Sequence, residues 1–230
     1  MPVRDWRENP VPDSKTWWNR AAQEDASWYI ATASDPFFER GRRDTDELVA
    51  FCGLQPSKDK TLLEIGAGAG RMTHRFAELY GRVLALDVSE EMLRLGRRNL
   101  AGVGNVEWLL GSGADLDLIA DRSVDDVFSY ITLQHVPSPA AVLRYLEEAG
   151  RVLRPGGRGA LQVRQPGPLP WTIDLAGHLV HAAQARRVWS RAWRGTRIPA
   201  RRLLQAASRS GARVELRPRG LRHLWVLLWR

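Results

Sequence analysis

Short apolar runs alternate with longer amphipathic segments from Thr61 onward, and this alternation predicts a sheet covered by helices. Five of the runs have the length of buried strands. They are TLLEI from Thr61, RVLALD from Arg82, NVEWLLG from Asn105, VDDVFSYI from Val124 and RGALQVR from Arg158. Strands that alternate with helices in this way favour a parallel, doubly wound α/β sheet.

Three segments between these strands predict helices with defined ends. RMTHRFAELYG predicts a helix that ends at Gly81. SEEMLRLGRRNLAGVG predicts one with Ser89 as its N-cap and two acids in its first turn, where they offset the helix dipole. SPAAVLRYLEEAGRVLRPGG predicts a third helix that runs into a turn.

The end of the chain predicts one more helix and a hairpin. ARRLLQAASRSG predicts a helix that ends at Gly211, and the apolar runs ARVELRP and LRHLWVLLW follow with only RG between them. A parallel crossover needs a dozen or more residues, so these two strands must be antiparallel. The predicted fold class is therefore α/β: a doubly wound, mostly parallel seven-stranded sheet with an antiparallel last strand.

Residues 1–60 predict a helical cap in front of a main domain of residues 61–230. SKTWWNRAAQEDASWYIAT has apolar residues at helical spacing, with Ser14 as N-cap. DTDELVAFCG predicts a second, short helix with Asp44 near its start and Gly53 just past its end.

An insertion at about residues 165–199 predicts a lid on the main domain. The segment is rich in Pro, Trp and Arg and holds one predicted helix, from near Trp171 to Trp193. Seven aromatic residues in the cap and the lid are available to cover a pocket: Trp17, Trp18, Trp28, Tyr29, Trp171, Trp189 and Trp193. Aromatic walls suit a planar or apolar small substrate, although these residues serve equally well as core of the lid.

The composition of the chain indicates where in the cell the protein is located. With 230 residues the chain can bury a full core, and Cys52 is the single cysteine. A lone cysteine excludes an intramolecular disulfide and a cysteine-built metal site, and it favours a reducing cytoplasm. The first residues lack an apolar signal region, and the longest late apolar run, LWVLLW, is too short to span a bilayer.

The net charge of +8 is unevenly distributed. Residues 151–230 hold 17 Arg, no Lys and two acids, whereas the first 150 residues carry 17 basic and 24 acidic side chains. Seven Arg and two Trp fall within ARRVWSRAWRGTRIPARR, residues 185–202. This segment could track a nucleic-acid backbone, rest on an anionic membrane, surround an acidic substrate or solvate a lid helix. The basic half could also pack beside the acidic half of the same molecule.

A glycine-rich loop follows the first strand. In LLEIGAGAGRMT, glycine recurs at Gly66, Gly68 and Gly70, and Glu64 lies two residues before the first of them. A dinucleotide fingerprint needs glycine at position 71, where this chain has Arg71. The bare backbone lets a ligand lie against it, and the next helix offers its N–H groups to an anion such as a carboxylate.

Asp87 ends the second strand, about twenty residues after the loop. An acid at this place faces ligand hydroxyls across the crevice of the sheet, as in ribose recognition. The loop and Asp87 together predict a binding site for a dinucleotide or for an adenosyl cofactor.

Four segments resemble the successive motifs of class I S-adenosylmethionine-dependent methyltransferases. They are LLEIGAGAGRMT, ALDVSEEML, DDVFSYITLQHVP and RVLRPGGRGALQV, which together cover about Leu62 to Val163. The terminal hairpin resembles the reversed last strand of that family. The resemblance implies a seven-stranded Rossmann-like fold and the cofactor S-adenosyl-L-methionine, which donates a methyl group.

The resemblance also implies where the cofactor would lie. Glu64 would support the loop or reach the cofactor's amino group through water, and Asp87 would accept from both ribose hydroxyls. Val88 and Met92 would flank the adenine. The methionine part would lie along the loop residues Gly66, Ala67, Gly68, Gly70 and Arg71.

Two further segments complete the implied site. GSGADL would close over the adenine edge through Ser112, Gly113 and Ala114, with Ser112 where the family often has an acid. Ser129 and Tyr130, at the end of the fourth strand, would lie near the transferred methyl group.

Catalytic candidates are His135 and Tyr130, with no metal implied. His135 follows the fourth strand in LQHVP and is either a base or a structural residue that caps the next helix. His178 and His181 share one face of the predicted lid helix, where they could enter the active site or face solvent.

The sequence therefore predicts a cytoplasmic methyltransferase that acts on an O, N or C atom of a small organic molecule. An RNA or other nucleic-acid methyltransferase that uses the Arg-rich segment is one alternative, and a non-catalytic cofactor-binding protein is another. Hydride transfer with a nicotinamide is a third, disfavoured by Arg71 and by the terminal hairpin.

Overall fold

The computed structural model describes residues 12–29, 35–166, 196–220 and 223–230. Seven strands in these ranges form one sheet: β1 Thr61–Ile65, β2 Arg82–Asp87, β3 Val106–Leu110, β4 Val124–Ser129, β5 Leu153–Arg164, β6 Arg213–Arg219 and β7 His223–Trp229. The α-helices of the same ranges are α1 Pro12–Tyr29, α2 Asp35–Cys52, α3 Thr73–Leu79, α4 Glu90–Asn99, α5 Pro139–Val152 and α6 Ala200–Ser208.

The strand order is β3-β2-β1-β4-β5-β7-β6. Strands β1 to β5 pair in parallel, while β7 pairs antiparallel with β5 on one side and β6 on the other. The predicted fold class is confirmed, including the reversed last strand. The order changes direction between β1 and β4, and such a switch point opens a crevice at the carboxyl ends of the two strands.

Both faces of the sheet are covered. Leu62 and Leu63 are fully buried on opposite faces of β1. One face packs against α5 and α6, and the other against α2 and α3. This arrangement explains why the central strands read as continuous apolar runs. Among the described residues, no helix combines the length and the apolar character needed to cross a membrane.

Helix α2 is longer than predicted and begins nine residues before Asp44. Its buried side is a stripe at four- and three-residue spacing: Phe37, Gly41, Thr45, Leu48 and Cys52. Glycine and threonine occupy two of the five positions, so the hydrophobic periodicity is lost in the sequence. The predicted start was therefore wrong.

Two other boundaries differ. Residues 12–14 already belong to helix α1, so Ser14 lies inside the helix and is not its N-cap. Strand β5 begins at Leu153, within the predicted turn. The glycines of that turn form an irregularity in the strand, because pairing moves from Leu153–Val124 directly to Arg158–Asp126.

The predicted lid helix lies outside the described residues, and so do His178, His181 and residues 186–195 of the Arg-rich segment. The two ends of the insertion are described. They meet where the amide of Ile198 donates to the carbonyl oxygen of Arg164, at 3.2 Å.

Candidate active site

A cavity of about 540 Å³ lies at the carboxyl ends of β1, β2 and β4, at the switch point of the sheet. This volume is within the range of small-molecule sites. Most of the residues predicted from the sequence line it: Glu64, Gly66, Ala67, Gly68, Arg71, Asp87, Val88, Met92, Gly113, Tyr130 and His135. Gly70, Ser112, Ala114 and Ser129 are outside its lining.

The glycine loop brings two strand ends into contact. Gly66 has a φ of +82°, and its amide donates to the carbonyl oxygen of Leu86 at 2.7 Å. A Cβ added to Gly66 would overlap the side chain of Thr132, in the loop after β4. Glycine is therefore needed here both for the backbone conformation and for the close approach of the β4 loop.

Asp87 is held by backbone amides at the end of β2. Its Oδ2 accepts from Gly68 N and its Oδ1 from Ser89 N, each at 2.9 Å. Desolvation raises the pKa of the Asp87 carboxyl, and these amide hydrogen bonds oppose the rise. Each carboxylate oxygen can accept a further hydrogen bond, so Asp87 is able to bind a pair of ligand hydroxyls.

Glu64 is an acid in the buried floor of the cavity. Only 4% of it is exposed, and its Oε2 accepts from Thr73 Oγ1 at 2.6 Å. Burial raises the pKa of Glu64 to about 7, although the Thr73 hydrogen bond and the charge of Arg71 lower it. The protonation of Glu64 therefore changes near neutral pH.

Helix α2 packs directly on the end of the glycine loop. A Cβ on Gly41 would overlap the carbonyl group of Arg71, and Arg71 Nη1 pairs with Asp44 Oδ2 at 2.6 Å. Arg40, next to Gly41, lines the cavity and makes no hydrogen bond or ion pair with a described residue. Sequence reasoning missed Arg40 as a pocket residue because it placed the start of α2 too late, and it treated Asp44 only as a residue near the start of that helix.

Two serines predicted in the site are used within the fold. Ser112 Oγ donates to Asp115 Oδ1 at 2.8 Å and accepts from Ala114 N at 3.1 Å, so it closes its own loop. Ser129 Oγ donates to the carbonyl oxygen of Ile65 at 3.1 Å, which ties β4 to β1. Because their hydroxyl groups are used in these contacts, both serines support the walls of the cavity without lining it.

Tyr130 lines the cavity from the end of β4. Its ring stacks on buried Trp225, with centroids 5.9 Å apart and planes 10° from parallel. Burial, and then the negative charge of Asp44, raise the pKa of Tyr130 above its ordinary value near 10. Its hydroxyl therefore stays protonated at neutral pH and can donate a hydrogen bond.

His135 lies in a 3₁₀ turn, Leu133–His135, and is 9% exposed. Its ring meets Trp18 of α1 edge to face, with centroids 5.8 Å apart, and its Nε2 lies 3.0 Å from Gln134 Nε2. The N-cap of α5 is Ser138, whose Oγ accepts from Ala141 N. The alternative that His135 caps this helix is therefore wrong.

Helix α1 is anchored beside Asp87. Ser89 is the N-cap of α4, as predicted, and accepts from Met92 N at 3.1 Å. The hydroxyl of Ser89 donates to Asn19 Oδ1 of α1 at 2.7 Å, and Glu91 N donates to the same oxygen at 3.3 Å. Since Trp18 is the neighbour of Asn19, this anchor also places an aromatic wall of the cavity.

The other aromatic residues named for the cap and the lid are only partly described. Trp17 packs edge to face on Trp18, with ring centroids 4.6 Å apart. The side chains of Trp28 and Tyr29, and the residues Trp171, Trp189 and Trp193, lie outside the described part of the chain.

Comparison with known proteins also indicates a methyltransferase domain. Residues 62–157 match the model of the methyltransferase domain family. Demethylmenaquinone methyltransferase of Clavibacter sepedonicus is 36% identical over 117 residues, which are 51% of this chain and 46% of that protein. The biotin biosynthesis bifunctional protein BioHC of Cellvibrio japonicus is also 36% identical over 117 residues, 50% of this chain and 22% of that protein.

A solved structure is similar as well. Phosphoethanolamine N-methyltransferase 1 of Haemonchus contortus, in complex with phosphoethanolamine and S-adenosylhomocysteine, superposes with a TM-score of 0.56 at 26% identity. The match covers 72% of this chain and 34% of that chain. This chain spans less than half the length of the two curated relatives.

The sheet order, the reversed β7 and the ligand crevice at the switch point define a class I, Rossmann-like α/β fold. Residues 62–157, about two fifths of the chain, are similar to the methyltransferase domain that this family model describes.

Proposed function

We propose that the protein is a methyltransferase that uses S-adenosyl-L-methionine and acts on a small organic acceptor. One observation carries the proposal: the glycine turn at Gly66 and the amide-held carboxylate of Asp87 line the same cavity. A backbone without Cβ atoms and a carboxylate with free lone pairs suit, respectively, the methionine chain and the ribose of that cofactor.

The remaining residues of this part of the cavity fit the cofactor as well. Met92 and Val88 supply apolar and polarisable surface for an adenine ring. Glu64 also lines the cavity, and its carboxyl group suits a ligand ammonium group. Arg40 is a cation without a partner among the described residues, and it suits the methionine carboxylate.

The cofactor, when bound, supplies a methyl group on a sulfonium that an acceptor atom displaces in line. The task of the protein is then to orient the acceptor and to exclude water. Tyr130 is a hydrogen-bond donor that can orient a polar acceptor atom. His135 is the histidine among the described lining residues, and its imidazole can take a proton from an acceptor atom that still carries one.

The organisation proposed for the chain is a cap of residues 1–60 on a catalytic domain of residues 61–230. The anchor of α1 through Asn19 and the packing of α2 through Gly41 support a cap that completes the cavity. We also propose a cytoplasmic location, which the buried free thiol of Cys52 supports.

Two measurements test the proposed function. Isothermal titration with S-adenosylhomocysteine should give a single binding site with the full chain. S-adenosylmethionine with a labelled methyl group, incubated with the protein and a deproteinised extract of its own cells, should label extractable material that resists nucleases. A mock preparation, purified in the same way from host cells that do not express the protein, is the control for label transferred by contaminating enzymes.

Each other result has a definite meaning. Binding without any transfer of label would favour the non-catalytic alternative. Label that nucleases remove would favour the nucleic-acid alternative and assign a substrate role to the Arg-rich segment. Failure of S-adenosylhomocysteine to bind would contradict the proposed function.

A further inference from the structure

Ile131, in the loop after β4, has an unusual backbone conformation. Its φ is +53°, in the left-handed region where a β-branched residue is a genuine outlier. Two hydrogen bonds hold the turn. The amide of Ile131 donates to Oε1 of buried Gln162 on β5, and Thr132 Oγ1 donates to the carbonyl oxygen of Tyr130, both at 3.1 Å.

The side chain of Ile131 is also unusually exposed. It is 45% exposed and lines the cavity, whereas the exposed Leu110, Leu118 and Leu204 do not. Asparagine or glycine would adopt the same backbone at lower energy and would not expose apolar surface. An isoleucine here thus has both a conformational and a solvation cost, and such a combination at a cavity is typical of a functional constraint.

The surroundings of Ile131 identify the chemistry that it would contact. The lining residues on this side of the cavity are Trp18, Tyr130, Ile131, Thr132, His135 and Val136. None of them carries a permanent charge. The cations and acids of the lining belong to α2, the glycine loop and the β1 and β2 ends. Arg71 and Asp44, which are near enough to Tyr130 to act on it electrostatically, are paired with each other.

We propose that Ile131 is a specificity-determining residue that contacts a planar, apolar part of the methyl acceptor, with Trp18 as a second wall. This inference rests on the proposed function and deepens it, since it names an aromatic acceptor class. Gln162 is then the positioning residue that fixes the turn and presents the isoleucine to the ligand.

The test uses the full chain saturated with S-adenosylhomocysteine, and 2-naphthol as an aromatic probe. Titration calorimetry should detect 2-naphthol binding to the wild type. I131N should weaken that binding by about fivefold or more, because it removes apolar contact. Asparagine tolerates a positive φ, and its backbone amide can still donate to Gln162 Oε1. The midpoint of thermal unfolding should therefore stay equal or rise.

Two comparisons make the test specific. S-adenosylhomocysteine should bind to I131N and to the wild type with equal affinity. L118N makes the same substitution at an exposed apolar residue outside the cavity, and it should leave 2-naphthol binding unchanged.

Three results would overturn the inference while the proposed function stands. First, the wild type could bind S-adenosylhomocysteine but fail to bind 2-naphthol at millimolar concentration. Second, I131N could bind 2-naphthol as well as the wild type does. Third, the midpoint of thermal unfolding of I131N could lie several degrees below that of the wild type. The last result would mean that Ile131 packs against the chain itself. Wild type that fails to bind S-adenosylhomocysteine would remove the proposed function together with the inference.

Discussion

The two sides of the cavity are built in different ways. The proposed cofactor side, residues 64–71 with 87–92, presents backbone amides, bare glycines and the carboxyl groups of Glu64 and Asp87, all within about thirty residues of sequence. The proposed acceptor side, residues 130–136 with Trp18, presents side chains and is supported by Gln162 from β5. A wall made of backbone fits one ligand and tolerates little change. A wall made of side chains can change its specificity while the cofactor side stays intact.

The largest effect is expected where the two sides touch. G66A should lower the free energy of unfolding by about 2–5 kcal/mol, because alanine is strained at this positive φ and its Cβ overlaps Thr132. Binding of S-adenosylhomocysteine should fall below detection. Chemical denaturation and titration calorimetry measure the two effects.

Gly156 offers a matched control for the overlap at Gly66. It has the same φ of +82°, but an added Cβ would meet nothing within 4 Å, so G156A reports the backbone strain alone. The double variant G66A/T132G removes the overlapping side chain and should be more stable than the sum of the two single changes implies. If the changes in the free energy of unfolding are strictly additive, the two sides of the cavity are not energetically coupled.

The second effect is a pH dependence of the free energy of unfolding, and it arises from the cofactor side alone. The pKa of Glu64 is about 7 in the folded protein and near 4.5 in an unfolded chain. Between these pH values the folded protein binds more protons than the unfolded chain at this site. The free energy of unfolding therefore falls as the pH rises through this window, by about 3 kcal/mol in all.

E64Q tests this dependence. Glutamine is neutral at every pH and can still accept from Thr73, so E64Q should be more stable than wild type above pH 7 and should lose the slope. Urea unfolding at four pH values between 5 and 8 measures it, with exposed Glu39→Gln as control. Parallel profiles for E64Q and wild type would show that Glu64 stays ionised in the fold.

The difference between the two sides also explains what the sequence could predict. The sequence could predict that Gly66, Gly68 and Asp87 line one cavity, because one strand–loop–helix–strand unit carries all three. The stripe of α2 was missed because Gly41 and Thr45 do not look buried in a sequence. Ile131 was missed because no local pattern announces a positive φ on isoleucine; its turn depends on Gln162, which is 31 residues away.

The third effect is a loss of ligand affinity without loss of the fold. D87A should weaken binding of S-adenosylhomocysteine by about 1–3 kcal/mol, since the ribose hydroxyls and two backbone amides lose their acceptor. Calorimetry measures it against D117A, which removes an exposed acid outside the lining. Equal affinities for D87A and wild type would remove Asp87 from the site and leave the glycine loop alone to define the cofactor side.

The smallest effect is expected at Asn19, which links the two sides. N19A leaves Glu91 N and the Ser89 hydroxyl without their acceptor and should lower the free energy of unfolding by about 0.5–1.5 kcal/mol. Because Asn19 places Trp18, binding of 2-naphthol should weaken more than binding of S-adenosylhomocysteine. N19D retains an oxygen acceptor at the start of α4 and should restore most of both. If N19A changes the two affinities by the same factor, Asn19 supports the cavity as a whole, and Trp18 is held on the acceptor side by its contact with His135.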